Sequence, residues 1–132
     1  MASNAATRDE VQRFLDTMKT RLERLGGQVM YDTRPKNLEF MLAMEWTRPD
    51  KKKEWLLKLE AEDYYQGPAT NENPALNDVW IFGKRIEKHL CYIKIYLARN
   101  PNVYCISFHF AEFDMYLPLK NVTEKHDKNL SK

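Results

Sequence analysis

The spacing of apolar residues changes along the chain, from three- and four-residue steps in the first half to two-residue steps in the second. Val11, Phe14, Leu15, Met18, Leu22 and Leu25 recur at helical spacing and build one apolar stripe. Thr7 and Glu10 stand at capping-box spacing in front of it, and Gly26-Gly27 follows as a stop. Residues 28–32 read as a short strand, and Arg34-Pro35 interrupts the chain. Asn37 is placed to cap a second helix carrying Leu38, Met41, Leu42 and Trp46. Pro49 suits the first turn of a third, through Trp55, Leu56 and Leu59. The run Lys51-Lys52-Lys53 in that helix reads as a solvated face. Residues 66–77, with Gly67, Pro68, Asn71, Asn73 and Pro74, read as a loop. Strands are predicted at 79–82, 89–98 and 103–110, the last two joined through Asn100-Pro101-Asn102. The pattern predicts an α+β fold: a small, mostly antiparallel, twisted sheet with the N-terminal helices packed on one face. Residues 1–119 are expected to form one domain, and 120–132 a polar, flexible tail.

The last two strands allow a register argument. Closing the hairpin over residues 99–102 sets Leu97 opposite Tyr104, Ile95 opposite Ile106, Ile93 opposite Phe108 and Cys91 opposite Phe110. One face is then wholly apolar, and a slip by one residue would mix the faces. The other face pairs Tyr96 with Cys105, Lys94 with Ser107, and Tyr92 with His109. In this register Cys91 and Cys105 lie on opposite faces and do not bridge.

Charge refines the picture. The 132 residues carry 21 Lys+Arg against 19 Asp+Glu, a net charge of +2, which excludes a protein that is basic throughout. Yet in residues 80–110 the five cations Lys84, Arg85, Lys88, Lys94 and Arg99 face only Glu87. The polar side of the sheet is therefore expected to be basic. The longest uncharged stretch is the 12 residues 100–111, short of the ~20 a membrane helix needs. Residues 1–7 lack the apolar core of a signal peptide, and two cysteines make no disulfide scaffold. A cytoplasmic protein is expected.

A basic face with tyrosine and histidine suits RNA, because lysines neutralise phosphates and aromatic rings stack unpaired bases. Cleavage of RNA by its own 2′-hydroxyl needs a base, a cation beside the phosphate and an acid for the leaving 5′-oxygen. Tyr92, Lys94 and His109 cover those roles without a metal, and the sequence leaves acid and base unassigned between them. His89 and His126 read as structural. No Cys/His set has zinc-ligand spacing, and there is no phosphate loop or nucleophile elbow, so no cofactor or metal is expected. Two other classes stay open: a module that binds RNA or an acidic protein without chemistry, and a small-molecule regulator with an enclosed apolar pocket.

Four segments in order, Asp63-Tyr64-Tyr65-Gln66-Gly67-Pro68, Val79-Trp80-Ile81-Phe82-Gly83-Lys84, Tyr92-Ile93-Lys94-Ile95 and Cys105-Ile106-Ser107-Phe108-His109, resemble the MqsR-type toxins of bacterial type II toxin–antitoxin systems. The resemblance covers roughly residues 8–118. It implies a RelE-like fold and a ribosome-independent mRNA interferase, a metal-independent endoribonuclease that arrests growth. The family's catalytic tyrosine and lysine fall on Tyr92 and Lys94, and its next basic residue, lysine in the best-known member, falls on His109. Gln66 stands where that member has lysine, and Ile81 where it has glutamine. Lys84 is the candidate for the missing cation, and Arg85, Gln66 and Ser107 are further candidate RNA contacts. The implied partners are mRNA and an antitoxin, often one with a helix-turn-helix domain, and any zinc belongs to that antitoxin. The two departures leave an inactive, purely binding homologue as the alternative.

Overall fold

The computed structural model describes residues 5–48 and 50–128. Helix α1 (Arg8–Glu23) starts at the capping box: Thr7 Oγ1 accepts from the Glu10 amide, and the Glu10 carboxylate accepts from the Thr7 amide at 2.8 Å. Val11, Phe14, Leu15, Met18 and Leu22 are buried along its inner face. Leu25 lies past the helix end and is 59% exposed. The two glycines do different work. Gly26 takes the left-handed conformation, whereas a Cβ on Gly27 would lie 2.1 Å from the Pro101 carbonyl oxygen.

Strand β1 (Val29–Tyr31) leads to helix α2 (Pro35–Met44), with Arg34 at its N-cap and Pro35 at its start. Asn37 is not the cap. It sits in the first turn, 1% exposed, and its side chain donates to the Asp32 and Ile106 carbonyls and accepts from the Phe108 amide. This rotates the helix from the expected phase. Phe40 is buried, Met41 and Met44 flank it, and Leu38 and Leu42 point outward at 50% and 79% exposed. Helix α3 (Asp50–Leu57) follows; Pro49, expected in its first turn, lies outside the described residues. The lysine run is not a uniformly solvated face. Lys52 is 4% exposed, with its ammonium 5.9 Å from the Tyr31 ring centre and 5.5 Å from that of Phe108. Burial holds its pKa below the usual lysine range.

A short 3₁₀ turn (Ala61–Asp63) enters β2 (Tyr64–Ala69), so the expected loop starts later than residue 66. Strands β3 (Val79–Ile86), β4 (His89–Leu97) and β5 (Val103–Phe110) complete a five-stranded sheet of order β1-β5-β4-β3-β2. Only β1–β5 is parallel; the other pairs are antiparallel. The helices cover one face. Phe14 stacks on Trp80 at 4.7 Å, and Phe40 meets Phe108 at 5.5 Å, above a floor of Phe82, Cys91, Ile93 and Ile95. Burying one such ring contributes about 1.5–3 kcal/mol.

Part of the segment expected as a polar tail carries a strand. Strands β6 (Met115–Leu117) and β7 (Val122–Glu124) form a hairpin, and His126 and Asp127 are tied to Asp114 and His89.

The β4–β5 register is as expected far from the turn: Cys91 faces Phe110, Tyr92 faces His109, Ile93 faces Phe108, and Lys94 faces Ser107. A bulge then shifts it, so Ile95 faces Cys105, Tyr96 faces Tyr104, and Leu97 faces Val103. Here β5 changes its outer neighbour, from β1 at residues 103–105 to the Asn37 side chain at Ile106 and Phe108. The bulge turns Val103 and Cys105 into the helix-side core and leaves Ile106 with Tyr96 and Tyr104 on the other face. The two cysteines thus share a face, contrary to expectation. Both are free, held four positions apart along β4, about 13 Å at strand spacing and beyond the reach of a disulfide. Burial pushes both thiols up to about 12.

Candidate functional site

The sheet face away from the helices is covered at both ends and open between them. At one end the β6–β7 hairpin packs Met115 and Leu117 over Ile81 and Leu90. That approach needs Gly83 on the Tyr92 row, where a Cβ would lie 2.9 Å from Met115 Sδ. At the other end Tyr96 and Tyr104 stack at 5.0 Å over Val79, Ile106 and Leu76. Between the covers lies a cleft of about 410 Å³, lined by Tyr92, Lys94, Ser107 and His109, with Arg34, Pro35 and Lys36 on one side and Glu112 and Phe113 on the other. Asn37 builds the first wall. By bonding to the outer edge of β5 it fixes the start of α2 beside Ser107 and His109.

His109 stacks on Tyr92 with ring centres 5.3 Å apart and planes 14° from parallel. Its Nδ1 is 2.9 Å from the Phe110 carbonyl oxygen. A carbonyl only accepts, so Nδ1 carries the proton, and Nε2 of the neutral ring keeps its lone pair. Burial holds the His109 pKa below the usual histidine value, which keeps the ring neutral at pH 7. Burial, and next the neighbouring Tyr65, raise the Tyr92 phenol above 10, so it stays protonated. Phe113 meets the Tyr92 ring edge-on at 5.9 Å. The Lys94 ammonium has no hydrogen bond or ion pair among the described residues. One cleft therefore brings together a neutral imidazole with a bare nitrogen, a protonated phenol and an uncommitted cation.

The other expected RNA contacts divide. Ser107 lines the cleft, 5% exposed. Lys84 lies on the helix side of the sheet, 3.0 Å from the Asp63 carboxylate, and does not supply a cation to the cleft. Strand parity decides this, because Lys84 pairs with Cys91 of the core row and not with Tyr92. Arg85 reaches the open side but is bound to Glu124 and to the carbonyls of Lys88 and Lys125. Gln66 is exposed on β2, in a row that runs Ser107, Lys94, Ile81, Gln66 across four strands, two strands from Lys94 and outside the cleft. Ile81 between them is under the hairpin, 7% exposed. The cations that join Lys94 in the cleft come from elsewhere, from Arg34 and Lys36. By sequence Arg34-Pro35 reads only as a break. Two cations flanking a proline at a helix start are the sequence signal for this charge. Arg34 is held by Asp32, and Lys36 pairs with Glu112 at 2.7 Å.

Among the described residues, no group of three or more His, Cys, Asp or Glu side chains is arranged to hold a metal ion, and no helix is long and apolar enough to cross a membrane. Fold and site define an α+β protein with a small, mostly antiparallel sheet whose open face carries a cleft built on histidine, tyrosine and lysine. Compared with protein families, curated proteins and solved structures, the chain matches none of them.

Proposed function

We propose that this chain is an endoribonuclease that cuts single-stranded RNA by attack of its own 2′-hydroxyl, with a RelE-like fold of the MqsR type. The observation that carries the reading is the stacked His109–Tyr92 pair beside the unpaired Lys94. His109 Nε2 takes the proton from O2′ as that oxygen attacks phosphorus. The P–O5′ bond breaks, and the Tyr92 phenol gives its proton to O5′. Lys94, with Lys36 turned from Glu112, neutralises the phosphorane oxygens. The products are a 2′,3′-cyclic phosphate and a free 5′-hydroxyl. The low His109 pKa, which keeps the ring neutral, supports its role as base, and the raised Tyr92 pKa, which keeps the phenol protonated, supports its role as acid.

By the same resemblance, the partner that silences the enzyme is an antitoxin covering this face. The test is incubation of the purified chain with a long mRNA in EDTA. Discrete fragments ending in cyclic phosphate, lost in the Tyr92→Phe/His109→Ala double variant, support the reading. RNA retained without cutting favours a binding module, a reading helped by Gln66 lying outside the cleft and Ile81 being buried.

A further inference from the structure

Beyond His109 lies a second hollow of about 370 Å³, within the range of small-ligand sites. Lys36, His109 and Glu112 line both hollows, so the histidine stands at their junction. The Lys36–Glu112 ion pair at that junction has both side chains more than half exposed, and exposed pairs of this kind are weak.

The two hollows differ in character. The first has Arg34, Lys36 and Lys94, suited to phosphate. The second has an apolar surface of Phe40, Ala43, Phe110 and Ala111, with Phe40 and Phe110 ring centres 4.8 Å apart. Its acids are Glu39, Glu112 and Asp127, and Lys36, Lys128 and His126 line it as well. Asp127 is bonded to His89 at 2.7 Å and Glu112 to Lys36. The Glu39 carboxylate has no hydrogen bond or ion pair among the described residues. An apolar floor with one uncommitted acceptor at its rim complements a nucleobase, which has apolar faces and a polar edge.

We propose that the second hollow holds the base of the nucleotide next to the bond cut at His109, and that Glu39 selects a base with an amino group on its edge over uracil. The proposal rests on the RNA reading above and adds the path of the strand: phosphate at Lys94, base beyond His109. Cytosine and uracil differ along this edge, a 4-amino donor beside an N3 acceptor against a 4-carbonyl beside N3–H, so a carboxylate aimed at the 4-position is bonded by cytosine and repelled by the uracil carbonyl. The probes are short 2′-O-methyl oligocytidine and oligouridine, which cannot be cut, titrated by fluorescence anisotropy. The parent should bind oligocytidine about tenfold more tightly, the scale of one hydrogen bond to a charged acceptor. Glu39→Gln should bring the ratio close to one, and Ala43→Trp, which fills the hollow, should weaken both. Equal affinities in the parent, or a ratio that neither variant moves, overturn the proposal. Binding with this preference but no cleavage of ordinary RNA keeps the hollow and removes the nuclease, whereas no RNA binding at all overturns both.

Discussion

Lys84 and Lys94 sit on neighbouring strands of one sheet, in the same basic stretch of sequence, and end up with opposite fates. Lys84 points to the helix side, where Asp63 meets it at 3.0 Å and both side chains are less than a fifth exposed. Lys94 points to the open side and has no acidic partner among the described residues. The same contrast holds for the whole sheet. On the helix side, even a cation such as Lys52 is absorbed into packing over Tyr31 and Phe108. On the open side the Tyr92–His109 stack is left accessible to a ligand between two covered ends. Lys94 is free to meet a ligand because the fold supplies it no partner, and composition along the chain carries no information about that.

The contrast is tested most sharply at His109. His109→Ala should lower RNA cleavage about 10³-fold, read in single-turnover assays, with a thermal midpoint unchanged within error. A comparable loss of rate and stability would make the residue structural and sink its role as base. Next comes the joint between α2 and β5. Asn37→Leu leaves the Ile106 carbonyl and Phe108 amide without partners and should cost about 3 kcal/mol in urea unfolding.

The two lysines then give a matched pair. Lys84→Met leaves Asp63 buried without its cation and should cost about 2 kcal/mol of stability. Lys94→Met should leave stability within about 0.5 kcal/mol while weakening RNA binding and reducing its salt dependence by about one phosphate contact. If both variants behave alike, the division between the faces is not functional.

The smallest effect is with pH. The His109 pKa is held below 6.5 and the base must be neutral, so cleavage should change less than about twofold between pH 7.5 and 6.5 and fall only at lower pH. The raised Tyr92 pKa removes any alkaline limb below about pH 10. A rate that falls as pH rises from 6 to 8 would instead make His109⁺ the acid.

Much of this was readable beforehand wherever one interaction range decided it. The α1 stripe and its capping box depend on residues three and four apart, and the alternation of apolar and polar positions in each strand puts Tyr92 and His109 on one face; that they sit opposite each other needs the bulge, which offsets a turn in which Leu97 faces Val103. The failures share a cause. Leu38 and Leu42 looked like a buried face because Asn37 was read as a cap, a local role, while its three bonds go to the distant β5 and to Asp32. The cysteines changed faces because one residue of bulge intervened where β5 exchanges neighbours. The tail found order through His89–Asp127 and Asp114–His126, pairs 38 and 12 residues apart.

By itself, then, the sequence determined the helix and strand periods, the α+β class, and the company of Tyr92, Lys94 and His109 on one face. These depend on backbone geometry that repeats every few residues. Only the tertiary structure decided which charges are spent on one another. It sent Lys84 to Asp63 and Arg85 to Glu124, left Lys94 unpaired, brought Arg34 and Lys36 to its side, and put His109 between two hollows. Those outcomes turn on contacts between elements distant in sequence, where burial and pairing are settled by what packs against each side chain.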